Sequence, residues 1–510
     1  MSSFHARSFP GAAPPPAAPP PPAAATSAAV PPPIAPSPLA AGAGFAEINW
    51  NVFSQAGALT EAECSVIRMG ETNVLSYVLA DRSDASKYAQ ALLKTLGAVK
   101  RENQVTHYAL TRILDVLASS DAVPGVSSPA ALFFDEPEHP SMGRSTVFKD
   151  NFAPFQAALE SRDDWTRRAA AVAAACVLAA AMHASPPATN AANKPALEAL
   201  VSWACGQAQS GRAGLSCGVP ALTVLAKSEQ ARLSLGAAGA IGFLARHLAL
   251  SSPAPAAAAA GLSLSDKSAS PALPAQTLYE VTFSLWTLSF APELRGDFAS
   301  HGVAGVLAGL VAGAPREKVT RVALAALRNL ASEPAVDEDK PAPVAAGVFV
   351  VEMLHAGFLK TLAQLKERQW SDPDVEEDVE ALATVLGDNF KEFSTWEKYT
   401  AEVGSGSLEW GLTHSEKFWR ENATCMEAND FRTLKMLIAL LDSQDEDTAT
   451  IACYDIGEFV RFYPSGRALA RKLGAKDKIM GLMDHPNPEV SRNALMSVSK
   501  LMVQKWEFVH

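Results

Sequence analysis

From residue 45 onward, apolar residues recur three and four positions apart, and alternation with a two-residue period is nowhere sustained; the pattern predicts helices and no sheet. "ASKYAQALLKTLGAVKR" and "THYALTRILDVLAS" are amphipathic in this sense. The pattern also repeats. "IALLDSQDEDTATIACYDIGEFV" (438–460) aligns without gaps on "MGLMDHPNPEVSRNALMSVSKLM" (480–502), and "LYEVTFSLWTLSF" (278–290) aligns on "TRVALAALRNLAS" (320–332), both at an offset of 42. In the first pair an apolar helix end runs into an acidic or proline-bearing turn, and a second helix starts near Asp445 or Asn487. Pro488 suits a first helical turn. Gly239, Gly302, Gly357 and Gly474 each precede an apolar helix, where a tight interhelix turn needs a residue free to take positive φ.

Helix pairs at a period near 42 are the signature of armadillo and HEAT solenoids. The predicted fold is all-α: an armadillo/HEAT-repeat superhelical solenoid in two domains. Residues 1–44 hold 13 of the 35 prolines and no acidic residue, which predicts a disordered Ala/Pro-rich extension; a targeting segment is the competing reading. Residues 45–370 form the N-terminal domain, with a low-complexity insert at 251–275. The stretch 371–385 is an acidic linker helix and 386–510 a C-terminal HEAT-like domain. In the linker, Pro373 opens a helix whose first turns carry Asp374, Glu376, Glu377, Asp378 and Glu380, expected to be solvated, with nothing apolar nearby to raise a carboxylate pKa.

Composition removes several function classes. The net charge of −11 argues against an electrostatic nucleic-acid binder. Six cysteines without metal-ligand spacing read as reduced, packed thiols, which favours a cytosolic compartment. The apolar run Ala169–Met182 is too short to cross a bilayer and reads as a buried helix, so no membrane insertion is expected. No phosphate-binding loop and no cofactor motif occur, and no histidines pair at metal-ligand spacing.

Three stretches mimic catalytic motifs. "GLSCG" (214–218) has the G-x-S-x-G spacing around Ser216 but lacks the strand that motif requires. "SVSK" (497–500) falls inside an amphipathic repeat. In "LEWGLTHSEKFWREN" (408–422), His414, Ser415 and Glu416 are adjacent, yet adjacent helix positions diverge. Thr413 with Glu416 reads instead as a capping box and His414 as a cap or surface residue. Trp410 would pack on the linker, Phe418 or Trp419 would turn into the core, and Lys417, Arg420 and Glu421 would point outward. A solenoid without a catalytic constellation works by presenting surfaces to partners.

"LYEVTFSLWTLSFAPELRGDF", "REKVTRVALAALRNL", "WSDPDVEEDVEAL", "LEWGLTHSEKFWRENA", "CYDIGEFVRFYPSGR" and "NALMSVSKLMVQKWEF" together resemble segments of the H subunit of the vacuolar-type proton-pumping ATPase (V-ATPase), in that family's order. The resemblance is dense from residue 276 on, thinner over 45–275 and absent from 1–44. It implies a non-enzymatic regulatory subunit at the cytosolic face of vacuolar and other endomembranes. Such a subunit contacts peripheral-stalk, catalytic-sector and membrane-sector subunits, couples hydrolysis to proton transport and restrains hydrolysis by the detached catalytic sector. The expected interaction surface comprises the acidic turn of Asp442, Gln444, Asp445, Glu446 and Asp447, with Asp484 to Glu489 as its counterpart one repeat on, and the outward Lys417 and Arg420. The alternative function is an armadillo adaptor that binds extended peptides in its groove; the W-x-x-x-N ladder of such adaptors is broken here, since Phe290 follows Trp286 and Asn329 lacks its tryptophan.

Overall fold

The computed structural model describes residues 34, 37–40, 45, 48–72, 75–98, 104–119, 123, 126, 128–134, 149–184, 190–251, 273–314, 316–334, 341–391 and 395–502. The expected disorder of 1–44 and of the insert at 251–275 falls almost wholly outside these residues. The described residues are helical, with no strand among them. The chain divides into two compact units, Pro19–Phe243 and Leu244–His510.

The first unit contains α1 (Trp50–Gln55), α2 (Glu61–Thr72), α3 (Leu75–Leu79), α4 (Arg82–Ala98), α5 (Gln104–Ala118), α6 (Lys149–Leu159), α7 (Asp164–Ala184), α8 (Asn190–Gln209), α9 (Arg212–Ala226) and α10 (Glu229–Ala237). Its central element is α7, in which every residue from Ala169 to Met182 is buried. Alanine makes this possible, because small side chains let α5, α6, α8 and α9 approach it together. At 21 residues α7 is longer than its apolar run suggests and has the length and apolarity of a membrane span, so length does not exclude one; however, 72% of its most apolar window is buried against its neighbours.

After α11 (Ala240–Ser251), the second unit runs α12 (Ala275–Leu288), α13 (Arg295–Ser300), α14 (Val303–Gly313), α15 (Glu317–Ala331), α16 (Ala346–His355), α17 (Phe358–Lys366), α18 (Pro373–Lys391) and α19 (Thr395–Ser405). It continues with α20 (Glu416–Asn422), α21 (Ala428–Leu440), α22 (Glu446–Phe462), α23 (Gly466–Lys472), α24 (Ala475–Gly481) and α25 (Pro488–Met502). The 42-residue period is structural: α12 and α15 start 42 residues apart and pack together, and so do α22 and α25. Polar bonds mark the register. Glu458 on α22 pairs with Lys500 on α25, and Ser497 donates to the Cys453 carbonyl. Gly239, Gly302, Gly357 and Gly474 all have φ between 59° and 79° and stand immediately before α11, α14, α17 and α24. A side chain there would be forced into the left-handed region.

At the acidic start of α18, Asp374, Glu376, Glu377 and Glu380 are exposed as expected of a solvated helix end, and Asp378 departs from it. Asp378 is 3% exposed and accepts from Arg328 on α15 at 2.7 Å, while Glu377 takes the other guanidinium nitrogen at 2.8 Å. Asp372 and Asp374 hold Arg321 in the same way at 2.7 and 2.6 Å. Burial therefore raises the Asp378 pKa, even though its bond to Arg328 pulls it down. Residues a full repeat earlier supply the partners, so a local reading of the linker could not see them.

"GLSCG" lies within α9, and its glycines have a packing role. A Cβ on Gly218 would sit 2.4 Å from the Ala204 carbonyl oxygen of α8, and one on Gly214 would sit 2.1 Å from that of Gln207. Gly218→Ala is expected to destabilise the chain by about 1–3 kcal/mol, because backbone must shift to admit the methyl group. A lowered urea midpoint at unchanged slope would register it; an unchanged midpoint would mean that the two helices are free to part.

Candidate functional site

The stretch 408–422 builds a buried polar centre between α19 and α22. Asp455, on α22 and fully enclosed, accepts from Tyr399 Oη at 3.0 Å, His414 Nδ1 at 2.7 Å and Trp419 Nε1 at 3.0 Å. The other imidazole nitrogen, His414 Nε2, donates to Glu402 Oε1 at 3.1 Å. Glu402 also accepts from the Glu409 amide and from the Thr413 hydroxyl. Leu408 closes the loop onto α22 by donating its amide to Thr448 Oγ1 at 3.1 Å.

Both imidazole nitrogens therefore donate to carboxylates, which requires the imidazolium form. Desolvation works against that charge, but the bonds and fields of Asp455 and Glu402 win and push His414 up to about 9. Glu402 is lowered, with the His414 bond overcoming its desolvation. Burial drives Tyr399 well above its usual value and raises Asp455, whose bonds to His414, Trp419 and Tyr399 oppose the rise. Phe418 lies tilted and Trp419 edge-on to the Tyr399 ring, and together they enclose the centre.

Three expectations for this stretch need correcting. The cap of α20 is Ser415, whose Oγ accepts from the Phe418 amide at 3.3 Å; Thr413 has turned to Glu402. His414 is neither a cap nor a surface group, being 4% exposed. Trp410 is 53% exposed and lies edge-on to Tyr454 and His414 instead of on the linker. Phe418 and Trp419 are both buried, and Lys417, Arg420 and Glu421 are exposed. Sequence reasoning missed the centre because its hub, Asp455, lies 41 residues beyond His414 in what reads as an ordinary repeat helix.

The acidic turn projects between α21 and α22. Asp445 caps α22, accepting from the Thr448 amide at 3.1 Å and its hydroxyl at 2.5 Å. Asp442 pairs with Lys478 at 2.5 Å, and Glu446 accepts from Asn487 Nδ2, also at 2.5 Å, in the turn one repeat on. Gln444 and Asp447 are exposed. Arg420 is held by Glu416 at 2.7 Å, one turn back on α20. Lys417 and Arg420 therefore belong to α20, while the acidic residues form a braced ridge that joins successive repeats.

The catalytic look-alikes resolve into packing. Ser216 sits inside α9, and Ser497 and Lys500 are buried in the α22/α25 contact. One further arrangement escaped the sequence. Ser37 Oγ lies 2.8 Å from His107 Nδ1, and His107 Nε2 lies 3.1 Å from Asp163. Ser37 and His107 are nearly inaccessible and Ser37 accepts the Leu39 amide, so this chain of bonds pins residues 37–40 to α5 and offers a substrate no approach. Trp286 and Asn329 are buried too, with Asn329 donating to Ser289, so neither lines an open groove. No group of three potential metal ligands occurs among the described residues.

Two family models match the chain in order, both described as the V-ATPase H subunit: an N-terminal one over residues 45–386 and a C-terminal one over 392–506. The H subunit of the V-type proton ATPase of Drosophila melanogaster is 38% identical over 236 residues, 46% of this chain and 49% of that protein. A probable V-type proton ATPase H subunit from Oryza sativa subsp. japonica is 36% identical over 230 residues, 45% of this chain and 48% of the relative. The chain thus spans about half the length of the curated relatives it matches. Among solved structures, a designed armadillo repeat protein for modular peptide recognition aligns over 59% of this chain and 99% of its own, at 16% identity and a TM-score of 0.26.

The centre has a measurable signature. Replacing His414 with Gln leaves Asp455 buried without its cationic donor and is expected to cost about 3 kcal/mol near neutral pH. Because the folded pKa lies above the unfolded one, the His414 contribution is complete below pH 6.5 and is lost as pH rises through about 9. Urea midpoints of the native chain and H414Q should therefore converge between pH 7 and 10; a constant gap would show that the imidazole carries no charge.

Proposed function

The chain belongs to the V-ATPase H-subunit family, and we propose that it acts as a non-catalytic regulatory subunit of a proton-pumping ATPase. The observation that carries this reading is the ordered match of both family models over most of the chain. In this role the protein bridges the cytosolic ATP-hydrolysing sector and the membrane sector, with peripheral-stalk, catalytic-sector and membrane-sector subunits as partners. It sits at the cytosolic face of acidifying endomembranes, helps couple hydrolysis to proton transport, and restrains hydrolysis when the cytosolic sector is detached. A division into two solenoid domains at residues 371–385 is part of this proposal; it lies just ahead of the change from one family match to the other, between 386 and 392, whereas the compact units divide at Phe243 and Leu244.

The braced acidic turn supports a contact surface. Asp445 is spent on capping α22 and Asp442 on Lys478, which stiffens the turn, while Gln444, Glu446 and Asp447 stay at the surface. A rigid, charged projection loses little entropy on docking and suits the blocking of a rotating part. Lys417 and Arg420 on α20 supply cations for the same role.

The test is ATP hydrolysis by a purified, detached cytosolic sector lacking this component, with and without stoichiometric chain. A saturable fall in rate, with the chain co-eluting with the sector, is expected. A variant with Asp442 to Asp447 replaced by Gly/Ser should still fold and lose most of the inhibition. Absence of binding to a matched sector would overturn the reading, and undiminished inhibition by the variant would remove the turn from it.

A further inference from the structure

The repeat of α21 and α22 shows what each repeat offers to the next. α25 packs along one side of α22. Cys453 lies on that side and its carbonyl accepts from Ser497; Gly457 follows one turn on, where a Cβ would lie 2.6 Å from Ser497 Oγ and 3.1 Å from Lys500 Cδ. Val460 continues the same side and is buried, and Lys500 Nζ lies 5.1 Å from the centre of the Tyr454 ring. From α24, Lys478 reaches back to the Ile438 carbonyl at 3.4 Å and to Asp442 at 2.5 Å.

Adding the 42-residue period carries these positions onto α24 and α25. Cys453, Tyr454, Gly457 and Val460 become Leu495, Met496, Ser499 and Met502, while Ile438 and Asp442 become Met480 and Asp484. Here the covering element is missing among the described residues. Met480, Leu495, Met496 and Met502 are each between 44% and 57% exposed, and Ser499 and Asp484 are exposed as well. The terminal repeat of a solenoid keeps a polar outer face when it meets only water. A leucine and three methionines on the side that the repeat reserves for a neighbouring helix mark an interface instead. Methionine suits one, since its unbranched, polarisable side chain adapts to the surface it meets.

The same equivalence gives the chemistry of the occupant. Gly457 lets α25 approach α22 closely, and Ser499, the small residue between Leu495 and Met502, leaves a notch at the matching place. Asp442 takes a lysine from the repeat that covers it, and Asp484 stands ready for a cation in the same position. Asp477, one turn before Met480, is a second exposed carboxylate beside the apolar side. We propose that α24 and α25 seat an amphipathic helix of another pump subunit, which lays an apolar stripe on Met480, Leu495 and Met502 and carries a lysine or arginine beside it for Asp484. That the partner is a pump subunit rests on the regulatory reading above; the uncovered side does not.

Oxidation of methionine by hydrogen peroxide, read by mass spectrometry, follows this surface directly. In the free full-length chain Met480, Met496 and Met502 should oxidise about tenfold faster than Met436, which is buried on α21. Assembly into a pump that lacks this component should slow the three about tenfold and leave Met436 unchanged. L495K and D484K, both at exposed positions, should keep the native urea midpoint and each weaken assembly about tenfold, by setting a cation against the cation of the partner. Assembly with the three methionines still oxidised at the free rate would overturn the proposal and leave the regulatory reading standing. Failure to assemble would strike that reading and the partner with it. Slow oxidation already in the free chain would also overturn the proposal. If it were relieved by dilution, a second copy would be the occupant; if it were relieved by removing residues 503–510, which lie outside the described residues, the chain would cover the side itself.

Discussion

One buried carboxylate organises the last third of the molecule. Asp455 gathers a phenol, an imidazolium and an indole from three separate elements, and each donor would be an unsatisfied buried group without it. The loop 406–415 has little regular structure of its own to hold it in place. What fixes it is His414 between Asp455 and Glu402, together with the Leu408 amide on Thr448. The placement of α20, and with it Lys417 and Arg420, follows from that anchoring. An ion pair enclosed by aromatic rings tolerates no sliding, so the polar centre supplies the register that apolar packing between smooth helices does not.

The same logic recurs at the period of the repeat. Arg328 with Asp378, Glu458 with Lys500, Lys478 with Asp442 and Glu446 with Asn487 each join residues 36 to 50 positions apart, on neighbouring helices or turns of the stack. Apolar ridges give the stack its stability, while these bonds decide which residue faces which.

Much of this order was legible in the sequence, for a physical reason. Helical periodicity, the 42-residue offset and the turn glycines are local signals, and Gly239, Gly302, Gly357 and Gly474 stand where the chain needs positive φ. The outward set of Lys417, Arg420 and Glu421 followed from helix geometry alone. What could not be read locally was the fate of charges whose partners lie a repeat away. His414 looked like a cap and Asp378 like one more solvated carboxylate of a helix start, because Asp455 and Arg328 are distant in sequence. The motif-like G-x-S-x-G misled for the converse reason: glycine spacing that opens a nucleophile turn in a sheet protein also lets two helices touch, as Gly214 and Gly218 do against α8.

The alanine-built interior of α7 carries a consequence for how this chain can change over time. Alanine gives up no rotamer freedom on burial, so that helix is ordered cheaply, but it also gains little from each methyl group removed from water. Cohesion there comes from how closely neighbouring backbones approach, not from the size of what fills the gap. Such a helix has no slack in either direction: glycine would loosen it, and any larger residue would push four neighbours apart at once. Substitutions should therefore collect at its exposed ends and on the surrounding helices, leaving the centre of the first unit the slowest part of the chain to diverge.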